Sequence, residues 1–386
     1  MNAPLPRPAL PEQQPGGTVA AGAPRLDQLT ALRFLAAMGV LSSHLWPLAE
    51  EANPIQPLAQ TLFTQGFVGV SFFFMLSGFI LAHTYQRRLT SGAISRRKYL
   101  ALRIARIAPV HWVLALPSGL AVLLSVGWGA LPRVLTNWAL LQSWVPDSKW
   151  YFSLVGPSWS LSDEAFFYTC FAGLAFLSGR RLLLLAGVML LADMAMVVWL
   201  QGHGRAELMN GEQQTLTHWL VYILPVTRLV EFVCGMLLYR LPRLGCGRGM
   251  ATAVEAGSVV VLLAAMVGMP ALGIPEIWQK QLGLMPVMAL LLWVFASGRG
   301  AISAWLAGSR WLVLLGDASF ALYLLHQPMI NQVIALRDAA SAPMALLPAM
   351  AGVTVLAVAL SVVFYKLVEI PLQRATRRWV DKVLPR

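Results

Sequence analysis

The first apolar stretch, residues 29–48, carries two groups that do chemistry and are costly in lipid, Arg33 and His44. A charge or an imidazole inside a membrane span is a functional candidate by default. Eleven helical residues turn through roughly 1100°, within about 20° of three full turns, so the two side chains share one helix face. They lie about 16 Å apart along the axis. A guanidinium on such a face binds phosphate or orients a carbonyl. An imidazole titrates near neutrality and serves as a general base. The structural alternative has Arg33 snorkelling to the inner interface and His44 sitting near the outer one.

Other candidates follow along the chain. Asp163 and Glu164 enter the apolar segment 159–178, with Tyr168 one turn beyond Glu164. Ser160 or Ser162 is a candidate cap there, and an acid in the first turn complements the helix dipole. That explanation covers one acid better than two. Trp159 fits an interfacial belt as well as a site. Arg228 and Glu231, three residues apart, read as an intrahelical ion pair that makes each tolerable in the membrane. His326 is a lone imidazole on an aromatic-rich segment, suited to packing or to a site, and no sequence neighbour accounts for Asp193. Arg103 and Arg106 share one helical face at a membrane entry. They suit a bidentate phosphate clamp, and equally the plain marking of the cytoplasmic side. Cys170, Cys234 and Cys246 match neither a disulfide framework nor a metal-ligand spacing, so no metal is expected.

The elements that hold these groups must be membrane helices. Of 386 residues, 58% are apolar and only 12% charged, about half the roughly 25% of a soluble domain. A mean hydropathy of +0.65 agrees. Stretches of about 20 apolar residues suffice to cross a bilayer core. They fall at 29–48, 66–84, 107–127, 159–178, 182–200, 218–239, 251–272, 281–297, 312–334 and 345–366. The expected fold is all-α, a polytopic membrane protein of about ten transmembrane helices with no separate soluble domain. Segment 131–144 is apolar but short, as for an interfacial or re-entrant helix. With the amino terminus inside, 22 Lys and Arg residues fall on the cytoplasmic side, five on the other and two within spans. That asymmetry puts both termini in the cytoplasm. It also explains the net charge of +12 without nucleic acid. Residues 1–24 lack an apolar run, so they are read as a disordered cytoplasmic tail rather than a signal peptide. A membrane domain over 25–374 and a basic cytoplasmic tail over 375–386 complete the chain.

From residue 26 to about 374 the chain resembles the acyltransferase-3 family of integral membrane O-acyltransferases. Arg33 and His44 match the family's Arg-x10-His spacing, and residues 72–79 its FFxLSGF segment. Arg103, Arg106 and Pro109 match its RxxR motif. Trp159, Ser160, Leu161, Ser162, Glu164, Phe167 and Tyr168 match its WSLSxE…FY signature. Leu315, Gly316, Ser319, Tyr323, Leu324, His326 and Pro328 match the LGxxSYxxYLxHxP pattern, and Glu369 with Pro371 the iExP ending. Ala165 stands where many members carry a second acid, and Phe320 replaces a usual Tyr.

The resemblance implies transfer of an acyl group, by default acetyl, from cytoplasmic acyl-CoA to a hydroxyl of an extracytoplasmic glycan or lipid-linked saccharide. The setting is the inner membrane of a bacterium. His44 is implied as the catalytic residue, either as a base or as an acyl carrier. Arg33 and Glu164 assist, with Glu164 orienting His44 or a substrate hydroxyl. Arg103, Arg106, Ser77 and Gly78 are assigned to the donor. Trp159, Ser162, Tyr168, Tyr323, His326 and Glu369 are assigned to substrate or support. The competing class is a transporter or flippase for a lipid-linked glycan or small anion, which intramembrane Arg, His and Glu also suit.

Overall fold

The computed structural model describes residues 25–210, 213–340 and 345–384. The tail expected over 1–24 lies outside the described residues. Described elements are helical throughout, save one antiparallel pair, Met209–Asn210 with Gln213–Gln214.

In chain order the helices are α1 (Asp27–Ser43), α2 (Gln56–Thr90), α3 (Arg96–Val126), α4 (Leu131–Trp138) and α5 (Trp159–Leu174). Next come α6 (Gly179–Gly202), α7 (Leu216–Arg240), α8 (Arg248–Ala271) and α9 (Met285–Ser297). The last are α10 (Ala301–Gly308), α11 (Arg310–Asp317), α12 (Ser319–Ala339) and α13 (Leu346–Val383). Six of these, α2, α3, α6, α7, α8 and α13, are long and apolar enough to cross a membrane. The bent pairs α9–α10 (74°) and α11–α12 (64°) raise the number to eight. The sequence expectation of ten also counts α1 and α5, which are only 17 and 16 residues long. These two helices carry Arg33, His44, Asp163 and Glu164. Walled in by protein, they need not match the bilayer's full thickness. Segment 131–144 forms the eight-residue α4 and a following turn rather than one helix. The segment 375–383, read as a tail, continues α13 as helix.

Backbone contact at glycines sets the centre. A Cβ on Gly78 of α2 would come within 2.0 Å of the Phe232 carbonyl oxygen, and one on Gly235 of α7 within 1.9 Å of that of Met75. The two helices therefore cross with their backbones touching, as small residues permit in membranes. Gly78, assigned to the donor from the sequence, is a packing position here. Gly66 against Gly39, Gly69 against Ala36 and Gly316 against Thr30 seat α1 in the same way between α2 and α11. In contrast α6, α8 and α13 bury only 22% of their apolar windows, against 78% for α2. They form the exposed apolar rim of the bundle.

One carboxylate holds the sharp turn into α10. Buried Glu255 of α8 accepts from the backbone N–H of Gly300 (2.9 Å), Ile302 (3.1 Å) and Ser303 (3.2 Å), and from the Ser303 hydroxyl (2.5 Å). It caps another helix's free N–H groups from outside. Glu255→Ala is expected to cost about 3 kcal/mol, since it strands several buried donors. Glu255→Gln should cost about half as much, as read by thermal unfolding in detergent.

Candidate active site

His44 follows the last turn of α1 and keeps helical dihedrals. Its Nδ1 lies 2.9 Å from the Val40 carbonyl oxygen and 3.2 Å from Nε2 of His326 on α12. The rings meet edge to face with centroids 4.8 Å apart. His326 is fully buried, and its own Nδ1 lies 3.1 Å from the Leu322 carbonyl oxygen. Tyr323 packs 6.0 Å from His326 and 5.9 Å from Phe73 of α2. Lys280, before α9, is within electrostatic reach of His44. Its ammonium lies 3.9 Å from the Phe67 ring centroid and 3.1 Å from Glu276.

Three turns back along α1, Arg33 enters a second polar cluster. It interacts electrostatically with Arg106, Asp317, Glu369 and Glu164. Among the described residues its half-buried guanidinium has no hydrogen bond and no ion pair. The neighbouring arginines are engaged. Arg106 donates from Nη1 to Gln373 Oε1 (2.5 Å) and lies 3.6 Å from Glu369, which Gln373 also bonds at 2.9 Å. Arg103 donates from Nη2 to the Tyr85 hydroxyl at 2.7 Å. The two arginines thus leave α3 toward different neighbours, and they do not form the isolated fork that their spacing suggests. Glu164 of α5 accepts from the Tyr168 hydroxyl (2.6 Å) and faces Arg33, Arg106 and Arg103. It belongs to the arginine cluster. Orientation of His44 by Glu164 is therefore not what the structure shows.

Trp159 is buried beside Phe74 (6.3 Å) and Tyr222 (5.2 Å), in the core rather than in an interfacial belt. Neither Ser160 nor Ser162 caps α5. Ser160 bonds the Pro157 carbonyl, and Ser162 accepts from Ser143 at 2.7 Å. Asp163 lies beyond the first turn, fully buried and within electrostatic reach of Arg228, so the capping account fails for it. Arg228 and Glu231 do form the expected ion pair, at 3.2 Å, with Arg228 held between Phe74 and Tyr222 and bonded to Ser71. Ser77 is half-buried on α2, and Asp193 is buried on α6.

Sequence reasoning missed Tyr85, Gln373 and Lys280. Gln373 had a signal, since it stands one helical turn after Glu369. Tyr85 and Lys280 had none.

Taken together, α1 carries near its middle a guanidinium with no hydrogen bond or ion pair among the described residues, and leads into an imidazole just past its last turn. That is a frame for an elongated anionic substrate with a reactive far end. Residues 26–366 match the family model described as an acyltransferase domain. The chain belongs to this acyltransferase family. It is 29% identical over 324 residues to the acyltransferase MdmB of Streptomyces mycarofaciens, covering 80% of this chain and 79% of that protein. It is also 29% identical over 336 residues to the exopolysaccharide production protein ExoZ of Rhizobium meliloti, covering 82% and 92%. No solved structure matches at a significant level. Family membership makes acyl transfer the coarse activity, and the site's imidazole is the group suited to it.

Proposed function

We propose that the protein transfers an acyl group, by default acetyl, from cytoplasmic acyl-CoA to a hydroxyl of an extracytoplasmic glycan or lipid-linked saccharide. The proposal places it in the inner membrane of a bacterium with about ten spans. Both termini are cytoplasmic, and the membrane domain runs over 25–374. The observation that carries this reading is the spacing of Arg33 and His44 on one packed helix. From diphosphate oxygen to sulfur, the pantetheine arm of coenzyme A has twelve bonds. At the roughly 1.15 Å per bond of an extended chain it reaches about 14 Å. The helical rise from Arg33 to His44 is about 16 Å. A donor whose phosphates meet Arg33, with Arg103 and Arg106 beside it, presents its thioester at His44.

The chemistry follows from that placement. The acceptor hydroxyl oxygen attacks the thioester carbonyl while His44 Nε2 takes the hydroxyl proton. The tetrahedral intermediate expels the coenzyme A sulfur, and His44 returns the proton to it. The products are an ester and free coenzyme A. If Nε2 itself takes the acyl group first, coenzyme A leaves before the acceptor enters. Release of coenzyme A without acceptor in a single turnover separates the two courses.

The reading is tested by calorimetry on purified protein with acetyl-CoA and with its dephosphorylated analogues. Binding that weakens as phosphates are removed supports it. No binding of acetyl-CoA to folded protein overturns it. The relative ExoZ, named as a protein of exopolysaccharide production, makes an exopolysaccharide repeat the first acceptor to try.

A further inference from the structure

We propose that His326 is a positioning residue that fixes the tautomer of His44 and holds its proton-bearing edge, in the place a carboxylate occupies in a Ser-His-Asp site. The proposal rests on the reading of His44 as the reacting group, and it adds a second imidazole to that reading.

The tautomers follow from the partners. A carbonyl oxygen only accepts, so the 2.9 Å contact with the Val40 oxygen requires a proton on Nδ1 of His44. By the same argument the 3.1 Å contact with the Leu322 oxygen requires a proton on Nδ1 of His326. In a neutral ring each Nε2 is then bare. The bare Nε2 of His326 lies 3.2 Å from Nδ1 of His44, where it accepts a share of that N–H. All contacts are satisfied with both rings neutral. The outcome is a lone pair on Nε2 of His44, the atom required to take a hydroxyl proton. Protonated His326 would instead point an N–H at Nδ1 of His44, forcing the proton of His44 to Nε2 and leaving two lone pairs facing each other at Val40.

When His44 becomes a cation during transfer, its Nδ1–H still points at two acceptors, the Val40 oxygen and His326 Nε2. A neutral acceptor supports that cation without requiring a second buried ion, which is a saving where desolvation is severe. Among the described residues no carboxylate contacts His44. Glu164, the nearest candidate by sequence reasoning, is bonded to Tyr168 in the arginine cluster. The titratable and charged groups facing the pair are Lys280, within electrostatic reach of His44, and Tyr323, whose ring packs on His326.

The test uses His326→Ala and His326→Gln in the full chain. The Gln side chain can set its carbonyl oxygen where Nε2 of His326 stood. Alanine is expected to lower kcat about 100-fold or more, the scale of a misdirected general base. The acyl-CoA KM should stay within about twofold. Gln is expected to recover at least about tenfold of the loss and to remove the contribution of His326 to the acid limb of the kcat profile. A residue that only packs would lower Tm and folded yield and leave that limb in place. A second measurement, nitrogen-15 NMR of labelled histidines with His44→Gln for assignment, needs no turnover. It should show His44 protonated at Nδ1 in the native protein and in mixed tautomers in His326→Ala. Protonation of His44 at Nε2 in the native protein overturns the proposal, as does His326→Ala with the native kcat and pH profile. Native protein that shows the Nδ1–H tautomer but transfers no acyl group would refute the proposed reaction and leave the histidine pair standing.

Discussion

His44→Ala is expected to abolish acyl transfer while leaving donor binding intact. His44 is the imidazole at the far end of the α1 face that begins at Arg33, and its Nε2 has no hydrogen-bond partner among the described residues. A general base contributes roughly 10²–10⁴ in rate. kcat should therefore fall by at least about 100-fold, and further if Nε2 carries the acyl group. The affinity for acetyl-CoA should change by less than about threefold, because the proposed phosphate site at Arg33 is about 16 Å away along the helix axis. His44→Gln should be as inactive as alanine, since an amide does not take the proton. Turnover near the native rate in either folded variant would remove His44 from the reaction.

Arg33→Gln is expected to weaken acetyl-CoA binding by about 10- to 150-fold, the range for losing a hydrogen bond to a charged group, about 1.5–3 kcal/mol. Its Tm should not fall, because among the described residues Arg33 has no hydrogen bond or ion pair to lose. Arg106 offers the contrast. It is tied to Gln373 and Glu369, so Arg106→Gln should lower both donor affinity and Tm. Arg33→Lys should restore only part of the affinity, because a point charge replaces a planar fork. Calorimetry with acetyl-CoA and thermal unfolding of the same samples give both readings. Unchanged affinity in Arg33→Gln would leave Arg33 as a structural or topogenic charge.

The site was legible in the sequence where one helix carries it. Helical periodicity alone put Arg33 and His44 on one face, and the i, i+3 spacing of Arg228 and Glu231 became an ion pair. Contacts between distant elements were not legible. His44 and His326 stand 282 residues apart, and no local pattern says which imidazole faces which. Glu164 was expected to orient His44 or a substrate hydroxyl. Its hydrogen bond to Tyr168 lies one turn on in its own segment, but the arginines it faces are on α1 and α3, and nothing in that segment points to them. Gly78 was assigned to the donor, yet the space beside it is filled by the backbone of α7, whose Gly235 makes the matching gap. Apolar length gave most of the spans, but it did not show that α1 and α5 are only 17 and 16 residues long or that α9–α10 and α11–α12 bend.

The central claim is that thioester chemistry, not passage of a substrate, takes place at His44. It is tested most directly in proteoliposomes of known orientation, with labelled acetyl-CoA supplied only to the face bearing Arg103 and a saccharide acceptor only to the other. The account predicts acylated acceptor on the far side and free coenzyme A on the near side in equal amounts, both lost in His44→Ala. Movement of unmodified saccharide across the bilayer with no release of coenzyme A would contradict it.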